Sequence, residues 1–124
     1  MSKIIKLIGI ANTPELRKQG LQNVPMLPPE SGMLFMYPIP AYNRIWGKGT
    51  LIDLDVAFIL PCFSDNQGVV CSIEEVKAAD EKIVDGHTST QYVLEVAAGE
   101  LKRLGIKIGD RMTIADDMQS VSFS

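Results

Sequence analysis

Apolar residues in this chain fall in short runs, each cut off by glycine, proline or a polar cluster, and the runs change too quickly for long helices. Lys3 to Ala11 is β-branched and apolar with Lys6 interrupting, which predicts an opening strand. Met33 to Tyr37 is a second apolar run, stopped by Pro38 and Pro40, and reads as a buried strand. Further strands are expected over Asn43 to Thr50, Leu54 to Phe63, Val69 to Val76, Thr90 to Val96 and Arg111 to Ala115. After the first strand, Thr13-Pro14-Glu15 supplies an N-cap, a proline at the first helical position and an acid in the first turn, and Gly20 can serve as a left-handed C-cap about two turns later. Val24 to Gly32 holds Pro25, Pro28 and Pro29, none able to donate to a ladder, so a loop of polyproline character is expected. Glu100 to Leu104 predicts one more helical turn, ended by Gly105.

Six or seven short strands with two short helices predict a mostly β class, a compact antiparallel β-sandwich or barrel. A parallel α/β architecture needs crossover helices of ten or more residues between strands, and the pattern has none. Nothing repeats at a fixed period and no linker divides the chain, so residues 1–124 read as a single domain. Asp116 to Ser124 reads as an extension, either an extra edge strand or a frayed tail.

Composition changes this picture only by exclusion. At 124 residues, 46% apolar and 22% charged, the chain can build one hydrophobic core and is not of disordered type. Net charge is −3 and the lysines and arginines are scattered, so nucleic acid is not an expected partner. No apolar run approaches the roughly 20 residues of a membrane span, so no membrane insertion is expected. The N-terminus lacks the pattern of a secretory signal, which points to the cytoplasm and to reduced cysteines.

Four stretches carry a family likeness: Gly20-Leu21, Ser31 to Phe35, Trp46 to Asp55, and Tyr92 to Gly99 with Gly109-Asp110 downstream. With their spacing they cover Ala11 to Ile114. The chain thereby resembles the bacterial and archaeal domain-of-unknown-function family 192. The resemblance implies the fold but no activity. Members usually read Trp-Met-Lys-Asn-Thr where this chain has Trp46-Gly47-Lys48-Gly49-Thr50. They usually carry an arginine where this chain has Val24. If the family's shared polar cluster is a functional site, this protein has lost the arginine and the asparagine from it.

Candidate chemistry is sparse. One histidine, His87, sits in a Gly-His-Thr-Ser loop and the two cysteines are nine residues apart, with no metal-ligand spacing, so neither metal nor cofactor is expected. Cys62 and Cys71 lie in apolar runs and read as buried, inert thiols. A two-residue loop at Asn66-Gln67 would set Asp65 against Gly68 and Cys62 opposite Cys71, at about 4.5 Å between Cα atoms. Strand periodicity would put Trp46, Lys48 and Thr50 on one face, as a wall for a small polar ligand such as a sugar or a carboxylate. Equally, Trp46 can be core with Lys48 alongside, while Gly47 and Gly49 admit a crossing backbone. Asp55 and Glu95, acids inside apolar strands, should each be at least partly buried and partnered by Lys48, Arg44 or backbone amides.

These observations favour a non-enzymatic domain that binds a small ligand or a partner, with its pocket near Trp46, Lys48, Thr50, Asp55 and Glu95. Two alternatives stand beside it: a small hydrolase or lyase using Asp55 and Glu95 as acid and base, and a structural or assembly protein.

Overall fold

A computed structural model describes residues 3–124. Seven strands close into a barrel in the order β1 (Lys3–Ala11), β2 (Ser31–Ala41), β7 (Thr90–Ala97), β4 (Leu54–Pro61), β5 (Gln67–Val76), β8 (Arg111–Ile114) and β9 (Ser120–Phe123). Outside it, β3 (Arg44–Ile45) and β6 (Val84–Asp85) form a two-stranded ribbon. Only β1 and β2 run parallel; every other pair is antiparallel. The helices are short, α1 at Pro14–Gln19 and α2 at Glu100–Leu104. Among the described residues no helix is long and apolar enough to cross a membrane.

Strand alternation sorts the buried apolar residues into two clusters. One takes residues from all seven barrel strands, among them Ile5, Leu34, Leu94, Ile59, Val70, Met112 and Phe123, and therefore fills the interior. The other takes Phe35, Val93, Val56 and Val76 from the opposite face of neighbouring strands, together with Leu21, Leu27, Ile45 and Val84 from the segments that cross that face. The barrel thus has a second, outer core beneath α1, the proline-rich loop and the β3–β6 ribbon.

The chemistry of the local sequence explains α1. Thr13 Oγ1 accepts from the Leu16 amide at 3.2 Å, Pro14 opens the helix, and Gly20 ends it at φ 47°. The ψ of −130° at Gly20 departs from the left-handed helical cap expected there. A Cβ at Gly20 would stand 3.1 Å from the Phe35 ring, so the end of α1 lies directly on the outer core.

Several expectations need correction. The second strand runs on through Pro38 and Pro40 to Ala41, because its pairing with β7 lapses between Met36 and Ala41 and the prolines owe the ladder no donor there. The proline-rich loop accordingly ends before Ser31, where β2 begins. The strand expected over Asn43 to Thr50 is confined to Arg44–Ile45. Gly47 to Thr50 is instead a turn, with the Thr50 amide donating to the Gly47 carbonyl at 2.9 Å and Gly49 at φ 79°. A side chain at Gly47 would collide with the Lys77 carbonyl, so here glycine does admit a crossing backbone. The C-terminal extension is neither edge nor frayed tail: β9 pairs with both β1 and β8 and closes the barrel.

The β4–β5 hairpin also differs. Pro61 faces Gly68 and the Cys62 amide donates to the Gln67 carbonyl, so the loop is longer than two residues. Cys71 falls at a bulge between Val70 and Ser72, far along the strand from Cys62. Both thiols are free; Cys62 is exposed and only Cys71 is half-buried, its Sγ 3.3 Å from the Phe58 carbonyl.

Candidate functional site

Glu95 sits toward the C-terminal end of β7, opposite Met33 of β2 and Val56 of β4, with its side chain on the outer face. It is 4% exposed, yet its carboxyl group makes no hydrogen bond or ion pair with any described residue. Burial pushes its pKa up to about 8, so the carboxyl is largely protonated at neutral pH. The group lines a cavity of about 370 Å³ on the outer face.

Tyr37, two residues beyond Phe35 on the same face of β2, lines the cavity beside it. Burial pushes the Tyr37 phenol up to about 12; the charge of Arg17 opposes that shift and the charge of Glu95 adds to it. Arg17 reaches down from α1, its Nη1 donating to the Met36 carbonyl at 2.8 Å and its guanidinium 4.9 Å from the centre of the Tyr37 ring. On the other wall the Lys48 ammonium stands 5.2 Å from the centre of the Trp46 ring, and Trp46 remains 43% exposed. Arg44 and Lys18 complete the charged rim. The cavity therefore carries four cations and one acid, and that acid is held neutral.

The structure brings Trp46, Lys48, Thr50 and Glu95 to one cavity. They meet through the Gly47 to Thr50 turn rather than through the face of a strand. The Thr50 hydroxyl is committed to that turn, donating to the Gly47 carbonyl at 2.6 Å. Asp55 stands apart. It faces Val96 across the β4–β7 ladder whereas Glu95 faces Val56, so the two acids project from opposite faces of the sheet. Asp55 Oδ2 accepts from the Gly99 amide at 2.9 Å at the start of α2. Its pKa is raised by burial, against the pull of the Gly99 and Leu101 amides and with the added charge of Glu75. The expected backbone partner of Asp55 is present; the expected partner of Glu95 is not, and the two carboxylates do not converge as a catalytic pair.

Sequence reasoning missed Arg17, Tyr37 and Phe35; Arg44, expected only as a partner of an acid, lines the cavity without pairing with Glu95. Alternation from Phe35 could have supplied Tyr37, but nothing local says that α1 and the β3 segment meet over β7. His87 is an exposed loop residue at positive φ, 3.5 Å from Asp85 and 4.0 Å from Glu74. Among the described residues, no three His, Cys, Asp or Glu side chains are grouped to hold a metal ion.

Two of the solved structures that resemble the chain are informative. One, from Sinorhizobium meliloti 1021, is provisionally described as a transcription regulator; it is 34% identical, with 89% of this chain and 88% of that one covered and a TM-score of 0.76. The other is a protein of unknown function from Novosphingobium aromaticivorans DSM 12444, 27% identical over 87% of this chain and 79% of that one, with a TM-score of 0.73. No functionally curated protein matches the sequence. The model of the family DUF192, described as "Uncharacterized ACR", matches residues 3–114, and the chain belongs to that family.

Proposed function

We propose that this protein is a non-enzymatic binding domain whose small-molecule site is the outer-face cavity between α1, β2, β7 and the Trp46 to Thr50 turn. The observation that carries this reading is Glu95, a buried carboxyl with no protein partner at the wall of a cavity of ligand size. Such a group costs stability, and a fold retains that cost where the group meets something that is not part of the chain. A hydrolase or lyase built on Asp55 and Glu95 is disfavoured by their opposite orientation. Reaction chemistry would need a second titrating group beside Glu95, and Tyr37 has its pKa pushed up, away from that role. The two separated, free thiols suit a reducing compartment, and we take the protein to act in the cytoplasm.

Mass spectrometry of small molecules released on denaturing the purified protein tests the reading. A released compound should disappear from the Trp46→Ala and Lys48→Ala variants, both changes at half-exposed or rim positions. A compound retained equally by both variants would move the site elsewhere.

A further inference from the structure

Resting on that reading, the inference concerns what the cavity takes. Three features define the chemistry. The volume of about 370 Å³ lies at the small end of ligand pockets and suits one ring with its substituents. Trp46 presents a half-exposed indole, a flat apolar surface on one wall. The charged groups around the cavity are Arg17, Lys18, Arg44 and Lys48, and no ionised acid balances them.

Glu95 is the decisive group. Had the cavity been built for a cation, the buried carboxyl would be its counter-ion, and four positive side chains would oppose the ligand. In an anion site the same carboxyl is useful only as a donor: protonated, its O–H can point at an acceptor that the protein itself does not provide. Every charged or titratable group facing it fits that role. Arg17 and Lys18 come from α1, Tyr37 from β2, and Arg44 and Lys48 from the 42–53 segment. On β4 the residue opposite Glu95 is Val56, and the only acid of that strand, Asp55, points to the other face.

We infer that the cavity binds a ring-sized organic carboxylate, its ring against Trp46 and its carboxylate set against the Glu95 carboxyl and accepting hydrogen bonds from Arg17 and Lys48. Ionising Glu95 would set two like charges together without water between them, so binding and protonation of Glu95 are coupled.

Three isosteric probes of different charge provide the test: benzoate, benzamide and benzamidine. Trp46 is the only tryptophan, so its indole N–H gives one NMR resonance that reports on the cavity directly. Benzoate should shift that resonance and bind roughly tenfold or more tightly than benzamide, as expected when an ionised acceptor replaces a neutral one, and benzamidine should not bind. Benzoate affinity should be flat from about pH 5 to about pH 7, where the ligand is ionised, and fall about tenfold per pH unit once Glu95 ionises. Glu95→Gln, which keeps a neutral donor, should retain benzoate binding and lose that pH dependence. Lys48→Ala should weaken benzoate with the thermal transition unchanged. Preference for benzamide or benzamidine would overturn the carboxylate inference and leave the pocket standing. No shift with any of the three, in a protein that melts cooperatively, would overturn both. Benzoate binding with the same pH profile in Glu95→Gln would remove Glu95 from the mechanism and overturn the coupling.

Discussion

Asp110 and Glu95 are buried to much the same degree, 6% and 4% exposed, and the two regions around them treat a carboxyl in opposite ways. Asp110 lies in the turn from α2 to β8, where α2 and Ile106 close onto the barrel interior. Burial alone would raise its pKa. The Lys107 amide at 3.1 Å, the Lys107 ammonium at 3.3 Å and the Lys3 ammonium at 3.4 Å outweigh burial and hold it below the usual range. Glu95, on the outer core, meets none of the neighbouring cations and is pushed up to about 8. The fold surrounds one buried acid with donors and leaves the other without any. The interior is made by seven strands that each depend on the rest. The outer core is made by a helix, a loop and a ribbon laid over a finished sheet, and the cavity that Glu95 lines lies there.

The largest expected effect breaks the interior. Removing residues 116–124 deletes β9 and leaves β1 and β8 unpaired at the seam, so the cooperative thermal transition followed by circular dichroism should be lost. Phe123→Ala, within the same seam, should cost about 3–5 kcal/mol in urea unfolding. A truncated chain that melts as the intact one does would mean that the outer core, not the closed barrel, holds the fold.

Asp110→Ala strips the Lys107 amide of its partner and should cost about 1–3 kcal/mol at neutral pH. Because its folded pKa lies below the unfolded one, the contribution of Asp110 is complete above the ordinary Asp value. It is lost as pH falls through and below the folded value. Equal stability of wild type and variant at pH 7 would undo the contrast with Glu95.

Glu95 should behave in the reverse sense. Its folded pKa is about 8 against an ordinary 4.5, so the folded state holds the proton more tightly and stability falls as pH rises from about 4.5 to about 8. Glu95→Gln should therefore stabilise the protein at pH 7 by about 3 kcal/mol and by almost nothing at pH 4, measured by urea titration at both values. A destabilised variant at pH 7 would mean that the carboxyl has a partner after all. The smallest effect is on stability at the rim: Trp46→Ala and Lys48→Ala should each change it by less than about 1 kcal/mol while weakening carboxylate binding.

Element types were legible along most of the chain because their signals are local. The caps of α1 and the apolar runs of β1, β4, β5 and β7 all act through residues a few positions apart. Where local logic misled, a distant backbone had the deciding role. Pro38 and Pro40 are tolerated because β7 has stopped pairing beside them. Gly47 is required by the Lys77 carbonyl thirty positions away, and the cysteine register failed because the hairpin loop is longer and a bulge intervenes at Cys71.

By itself the sequence determined a mostly β fold, its two short helices, and a set of residues that includes Trp46, Lys48, Thr50 and Glu95. Hydrophobic period and turn chemistry are properties of neighbours in the chain, and they suffice for that much. Only the tertiary structure decided that β9 closes the barrel and that Asp55 and Glu95 face opposite sides of it. It also decided that α1 brings Arg17 over Tyr37 to wall a cavity around Glu95. Those outcomes depend on which strands pair and in what register, and a change of one residue in register carries every side chain to the other face.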